Sequence, residues 1–167
     1  LEHYIKTGGQ IGYIRRWEDD LKGGRGAAVW SGIVALGWVE ELTGGQWTTI
    51  VYKGRSWFLA CPDPENDGRF ITEEEPFCYA FALTKQESYK SLSYPNIQIV
   101  VFDEFLSRSG YLAEEVIIYM NLLSTWIRER QNVQIFMLGN TVNKYSPYFA
   151  EMGLTHIKEM EKGSIDV

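Results

Sequence analysis

The second half of the chain has the clearest pattern of hydrophobic and polar positions. Residues 96–102 (NIQIVVF) and 133–138 (VQIFML) are apolar runs with almost no charge, which is typical of strands buried on both faces of a parallel sheet. Between them, residues 112–130 carry apolar side chains three or four positions apart. This spacing predicts a helix whose packed face contains Val116, Met120, Leu123 and Ile127. Strand, helix and strand in this order predict a parallel βαβ unit.

The first half is less regular, although its turn residues still divide it into segments. They predict, in order, a strand over 10–17, a glycine-rich loop over 21–26, a weak helix over 27–42, strands over 48–53 and 56–61, an acidic surface loop over 62–76 and a strand over 77–83. Ile11, Tyr13 and Arg15 share one face of the first strand. Gly54-Arg55 is a connection typical of a β-hairpin. We therefore expect an α/β fold with a mostly parallel sheet, flanking helices and a β-hairpin insertion.

Composition sets limits on the class of protein. The 167 residues correspond to a single domain at ~150 residues per domain, and 45% hydrophobic with 23% charged residues exclude a disordered chain. No stretch approaches the ~18 apolar residues of a membrane-spanning helix, so no membrane partner is expected. The net charge is −6, and −5 of it lies between Cys61 and Phe77. Total charge therefore decides nothing about partners, and two distant cysteines cannot form a metal site by themselves.

The candidate chemistry is concentrated after the two apolar strands. Asp103 and Glu104 follow the first strand, at the end of an open α/β sheet where ligands bind. Adjacent carboxylates suit a division of labour in which Asp103 holds the Mg²⁺ of a nucleotide and Glu104 polarises a water for attack. Asn140, after the second strand, is placed to sense a phosphate or hold that water. A solvated acidic loop and a simple turn remain the alternatives for these positions.

Two arginines end the long predicted helix, and they also allow two interpretations. Arg128 and Arg130 complement the helix dipole in the simpler one. In the other, an arginine finger projects towards the phosphates of a neighbouring subunit.

Long ordered matches give these residues a family context. The runs SYPNIQIVVFDEF, NLLSTWIRERQNVQIFMLGN and NKYSPYFAEMGL, with YIKTGGQIGYIRRW upstream, resemble the DNA-packaging (encapsidation) ATPases of phi29-like phages. The resemblance covers residues 4–154 and is strongest over 90–154. It implies a P-loop ATPase of the ASCE type that binds ATP and Mg²⁺ and moves double-stranded DNA into a procapsid.

The resemblance also implies roles for individual residues. Asp103 falls on the Walker B aspartate, Glu104 on the catalytic glutamate and Asn140 on a polar coupling position. Arg128 falls on the proposed trans-acting arginine finger, and Lys90 is a second candidate contributor in trans.

One match and one departure concern nucleotide binding. Arg15 and Arg16 fall on paired arginines of the family, which makes them candidate nucleotide contacts. The resemblance implies that the family's phosphate-binding loop lies just before Leu1. Residues 23–26 (GGRG) do not replace it, because they are not followed by Lys and Ser or Thr. We therefore expect residues 1–167 to form one ATPase domain of a longer protein, whose C-terminal domain would follow Val167.

The implied partners are those of a packaging motor. They are double-stranded DNA, further copies of the chain in a homo-oligomeric ring, a pentamer by the resemblance, and the portal (connector) of the procapsid. A packaging RNA is left open as a further component. The implied location is the host cytoplasm, transiently at the portal vertex. Two alternatives stay open: another ring or helicase-like nucleoside triphosphatase, and a catalytically silent α/β module that binds a partner through its aromatic first half.

Overall fold

The computed structural model describes residues 1–90, 92–127, 130–140, 145–161 and 163. Its strands are β1 (Gln10–Arg15), β2 (Thr49–Lys53), β3 (Ser56–Pro62), β4 (Phe70–Thr72), β5 (Cys78–Ala82), β6 (Ile97–Asp103) and β7 (Gln134–Leu138). Its α-helices are α1 (Glu2–Thr7), α2 (Gly23–Ala28), α3 (Ser31–Ala35), α4 (Trp38–Leu42), α5 (Glu115–Ile127) and α6 (Pro147–Glu151). Short 3-10 helices cover Glu18–Leu21, Leu83–Tyr89 and Thr155–Lys158. No helix in the described ranges is long and apolar enough to span a membrane.

A single mixed sheet organises these elements in the order β2-β3-β5-β1-β6-β7, with β4 beside β3. Strands β5, β1, β6 and β7 are parallel neighbours, whereas β2, β3 and β4 extend the sheet in antiparallel fashion. The hairpin and the parallel β6-α5-β7 unit confirm the sequence prediction. The expectation of a mostly parallel sheet is wrong, because within the described residues the sheet has as many antiparallel as parallel strand pairs.

Side chains alternate between two apolar layers. Ile14, Phe81 and Phe102 face the layer that contains α5, whereas Tyr13 and Trp57 belong to the opposite layer. The core thus lies on both faces of β1, β5 and β6, which makes the carboxyl ends of these strands a rigid edge for a site.

The predicted loop over 21–26 is wrong, because α2 begins at Gly23. The expected single helix over 27–42 is also wrong, since α2, α3 and α4 share that region and Gly37 separates the last two with φ 72°. Tertiary contacts explain the first error. The indole N–H of Trp57 donates to the carbonyl of Gly26 at 2.8 Å, and the ring of Tyr52 lies where a side chain at Gly26 would be.

The packed face of α5 is rotated from the predicted one. Tyr119, Leu122 and Trp126 are buried along with Leu123, whereas Met120 is 51% exposed. The large aromatic rings decide the orientation, and Trp126 packs directly over Gly12, where a Cβ would lie 3.1 Å from its ring.

Two further expectations are corrected, one about burial and one about secondary structure. β7 was expected to be buried, yet Ile135, Phe136 and Leu138 are each more than 40% exposed. It is the last strand of the sheet within the described residues, so its outer edge and parts of both faces lack cover there. The expected loop over 62–76 contains β4, which pairs with β3.

Candidate active site

The two acidic residues occupy the predicted position at the carboxyl edge of the parallel strands. β6 ends at Asp103, and Glu104 follows with a left-handed φ of 55°. That conformation costs an L-residue about 1–2 kcal/mol, so the surroundings must hold it. On one side, the N–H of Phe105 donates to the carbonyl of Leu138 at the end of β7 (3.1 Å).

Arg15 ties both carboxylates together from the neighbouring strand. β1 lies beside β6 in parallel, so the last residue of β1 reaches the same edge. One terminal nitrogen of Arg15 (Nη1) lies 3.0 Å from Oδ2 of Asp103, and the other (Nη2) lies 2.7 Å from Oε2 of Glu104. Asp20 is a third acidic neighbour at 3.6 Å. The resemblance makes Arg15 a candidate nucleotide contact, whereas in the structure its guanidinium contacts Asp103 and Glu104, the predicted metal ligand and the predicted base.

Tyr13 is a site residue that sequence analysis missed. Its hydroxyl donates to Oδ2 of Asp103 at 2.5 Å. Burial and this hydrogen bond to a carboxylate raise the pKa of Tyr13 above its ordinary value of 10. The sequence places Tyr13 and Arg15 on one face of β1, and the structure adds that β1 lies beside the strand that ends at Asp103.

Arg16 projects to the other face of the sheet from Arg15, into the layer that contains α5, and lies in a buried network there. Its Nε and Nη2 donate to the two carboxylate oxygens of Glu115 at 2.7 and 2.8 Å. Its Nη1 and Nη2 also donate to the carbonyls of Glu104 and Phe105, at 3.1 and 2.7 Å. Arg16 and Glu115 are only 4% and 2% exposed. The expected nucleotide contact by Arg16 does not fit this geometry, because the guanidinium is occupied by protein acceptors.

Tyr148 completes this buried network from α6. Its hydroxyl donates to Oε1 of Glu115 at 2.8 Å, and burial together with that negative charge raises the pKa of Tyr148 far above 10. Neither Glu115 nor Tyr148 was singled out from the sequence. Their separations from Arg16 along the chain leave no local pattern by which to find them.

Asn140 reaches the same edge as the two acids. β7 pairs with β6 so that Leu138 lies opposite Asp103, and Asn140 comes two residues later. Gly139 between them packs closely, since a Cβ there would lie 3.0 Å from the ring of Phe105. A cavity of about 400 Å³ opens here, and its lining includes Arg15, Asp20, Glu104, Arg108 and Asn140. The structure therefore brings Asp103, Glu104, Asn140 and Arg15 to one place.

Of the remaining predicted site residues, Lys90 and Arg130 lie away from the cavity, and Arg128 falls outside the part of the chain that the structure describes. Lys90 is exposed at the end of the 3-10 helix Leu83–Tyr89, and its Nζ pairs with Glu87 at 2.6 Å. Arg130 binds carbonyls at the end of α5 and the start of β6, those of Trp126, Ile127, Pro95 and Ile97. For Arg130 the structure supports helix capping.

The residues present fit one half of a magnesium–nucleotide site. No group of three or more His, Cys, Asp or Glu in the described ranges could hold a metal alone. Mg²⁺ with phosphates and waters needs only one or two carboxylates, and Asp103, already oriented through Oδ2, meets that requirement. The phosphate half does not fit residues 23–26. Gly26 is packed beneath Tyr52 and no Lys and Ser or Thr follow.

Residues 63–162 match the family model of the Podovirus DNA encapsidation protein (Gp16). The chain belongs to this family. It is 30% identical over 152 residues to the DNA packaging protein of Bacillus phage phi29. This alignment covers 89% of this chain and 39% of that protein. It is also 30% identical over 157 residues to that of Bacillus phage B103, with 92% and 42% coverage. The chain thus spans about two-fifths of the length of these curated relatives.

Solved structures of phage DNA packaging proteins share the fold of this chain. The N-terminal domain of the DNA packaging ATPase from bacteriophage phi29 superposes with a TM-score of 0.72 at 27% identity, over 98% of this chain and 74% of that domain. A chain of the phi29 viral genome packaging motor assembly gives a TM-score of 0.64 at 29% identity, over 90% and 40%. A chain of the Phi-28 gp11 DNA packaging motor shares the fold, with a TM-score of 0.63 at 18% identity. The mixed α/β sheet described above therefore matches the fold of that phi29 N-terminal domain.

Proposed function

We propose that this chain is the catalytic core of an ATP-driven motor that moves double-stranded viral DNA into a procapsid. One structural observation carries the proposal. Arg15, Glu104 and Asn140 line one cavity at the carboxyl ends of β1, β6 and β7, and Asp103 is ion-paired to the same Arg15. Carboxylates and an amide around such a cavity are suited to hydrolysis of a phosphoanhydride at a metal-bound nucleotide.

Each residue has a specific task in this mechanism. Asp103 would hold Mg²⁺, which would supply neutralising charge to the phosphates of the nucleotide. Glu104 orients and deprotonates the attacking water. Asn140 donates a hydrogen bond to the terminal phosphate or to that water. Arg15 keeps the Asp103 and Glu104 carboxylates at a fixed separation through its two terminal nitrogens.

The proposed motor needs further groups besides Asp103, Glu104, Asn140 and Arg15. An ASCE-type phosphate-binding loop in the sequence before Leu1 would hold the phosphates. Arg128, with Lys90 as a second contributor, would act in trans on a neighbouring subunit of a homo-oligomeric ring, a pentamer as in the family resemblance. The exposure of Lys90 is compatible with such a role. The motor would work in the host cytoplasm at the portal of the procapsid, and a packaging RNA stays open as an additional partner.

The test is ATP hydrolysis and DNA translocation by the full-length protein, with and without Mg²⁺. We expect Mg²⁺-dependent turnover that Glu104→Gln lowers by about 10²–10⁴-fold. Glu114→Gln is a matched control, because Glu114 is also an exposed glutamate with φ 55° and lies outside the cavity lining. Wild-type protein that binds its partners without hydrolysing ATP would instead favour the silent partner-binding module.

A further inference from the structure

The turn that carries Glu104 is held from two sides, and one side is a buried arginine with no contact role in the proposed reaction. The N–H of Phe105 is fixed by the carbonyl of Leu138 on β7. The carbonyls of Glu104 and Phe105 are fixed by Nη1 and Nη2 of Arg16. A left-handed residue persists only where its surroundings determine its conformation, and these three hydrogen bonds supply that determination.

Arg16 is itself immobilised by its neighbours. Its guanidinium forms a two-pronged ion pair with Glu115 and lies 5.0 Å from the ring centre of Tyr111 and 5.8 Å from that of Phe102. A planar group held at its nitrogens and against its faces has little freedom to reorient. Because Arg16 directly follows β1, its hydrogen bonds hold the turn at Glu104 in a fixed position relative to β1.

Glu115 is fixed in turn by two further contacts. Its Oε2 accepts a hydrogen bond from the N–H of Leu112 at 2.8 Å, so the side chain also caps the start of α5. Its Oε1 accepts the hydrogen bond of Tyr148. The carboxylate therefore joins α5 and α6 to the arginine that holds the turn.

On the basis of the proposed function, we infer that Arg16 is a positioning residue for Glu104. It acts through the backbone of residues 104–105 and does not touch the nucleotide. Arg15 holds the side chain of Glu104 from the cavity, and Arg16 holds its main chain from the core. The two adjacent arginines thereby fix the proposed catalytic base at both ends.

Arg16→Lys in the full-length protein is the decisive substitution. Lysine keeps the positive charge beside Glu115, but it cannot donate from two fixed nitrogens to the carbonyls of Glu104 and Phe105 at the same time. We expect kcat to fall by about 10- to 100-fold, because a catalytic group displaced by ~1 Å loses up to ~10²-fold in rate. Mg²⁺–ATP affinity should stay within about two-fold, since Asp103 is held by Tyr13 and Arg15.

Tyr148→Phe is the matched control. It removes a hydrogen bond from the same buried network, and the bonds from Arg16 to the two carbonyls remain. We expect kcat to change by less than about two-fold, which corresponds to the smallest net contribution of a single hydrogen bond, ~0.5 kcal/mol. The number of nucleotides bound per chain is measured in every variant, because a folding defect lowers this number while a displaced base does not.

The outcomes separate this inference from the function on which it rests. A loss of kcat in Arg16→Lys at full nucleotide stoichiometry, with Tyr148→Phe active, supports the inference. Unchanged kcat in Arg16→Lys, or equal losses in both variants that follow the bound stoichiometry, overturns it. If Arg16→Lys does not fold, the charge-neutral double variant Arg16→Gln/Glu115→Gln takes its place under the same criteria. Failure of the proposed function shows differently, as wild-type protein without Mg²⁺-dependent hydrolysis.

Discussion

Arg15 and Arg16 are adjacent in the chain, and their side chains lie on opposite faces of the sheet. Arg15 is in the cavity, where it bridges two carboxylates, whereas Arg16 is 4% exposed and paired with Glu115. The alternation of side chains at the end of β1 produces this separation. A paired-arginine motif in the sequence therefore corresponds to two different tasks.

Tyr13→Phe tests whether the hydroxyl on Asp103 orients a metal ligand. We expect the Mg²⁺ concentration for half-maximal hydrolysis to rise by about ten-fold, because groups that orient a ligand affect metal affinity on that order. Tyr4→Phe is the control, since its hydroxyl donates to Glu73 at 3.0 Å, away from the site. Equal Mg²⁺ requirements in both variants would mean that Tyr13 has no role in metal binding.

Arg130→Met should weaken the fold and leave the chemistry intact. Arg130 binds carbonyls that join the end of α5 to the start of β6, and losing these bonds should lower the free energy of unfolding by about 2 kcal/mol. Denaturant titration measures this loss, and Arg69→Met, at an exposed arginine in the acidic region, should show little change. Loss of hydrolysis without loss of stability would make Arg130 a catalytic arginine.

Alkaline pH should unfold the protein partly through Tyr148. Its pKa is raised in the folded state, so the neutral hydroxyl stabilises the fold below about pH 10 and this contribution is lost as the pH rises further. Above pH 10 the unfolded state releases the proton first, which costs about 1.4 kcal/mol of stability per pH unit for one such group. Tyr148→Phe should show a shallower decline of the unfolding free energy between pH 10 and 11. If the unfolding free energy of wild type and Tyr148→Phe declined equally steeply with pH, a raised pKa of Tyr148 in the folded state would be contradicted.

Arg128 tests whether neighbouring subunits share active sites. Assayed alone, Arg128→Ala should lower hydrolysis by about 10³–10⁵-fold, the contribution of an arginine finger, and Glu104→Gln by about 10²–10⁴-fold. A mixture at ring-forming concentrations should recover part of the activity, since an intact Glu104 can receive Arg128 from its neighbour. A mixture that stays inactive indicates action in cis, and full activity of Arg128→Ala alone rejects the finger.

The two strands that end at the acids and near Asn140, and the hairpin, were predictable from the sequence, whereas the place of β1 beside β6 was not. The apolar runs that became β6 and β7 and the Gly54-Arg55 hairpin carry strong local signals. The position of Asp103 and Glu104 follows directly, because they come immediately after such a run.

Contacts between distant residues explain what the sequence did not predict. The stripe from Val116 to Ile127 has good helical spacing, but the rings of Tyr119 and Trp126 fill the space over the sheet and rotate α5. The pairing of Arg16 with Glu115 links positions 99 residues apart, and no local pattern specifies it.

The most direct measurement compares nucleotide binding with turnover in two variants of the full-length protein. Glu104→Gln should bind Mg²⁺–ATP with near wild-type affinity and hydrolyse it about 10²–10⁴-fold more slowly. Asp103→Asn should weaken Mg²⁺–ATP binding itself, because a neutral amide replaces the proposed metal ligand. Indistinguishable affinity and turnover in the two variants would contradict the division of roles between these adjacent carboxylates.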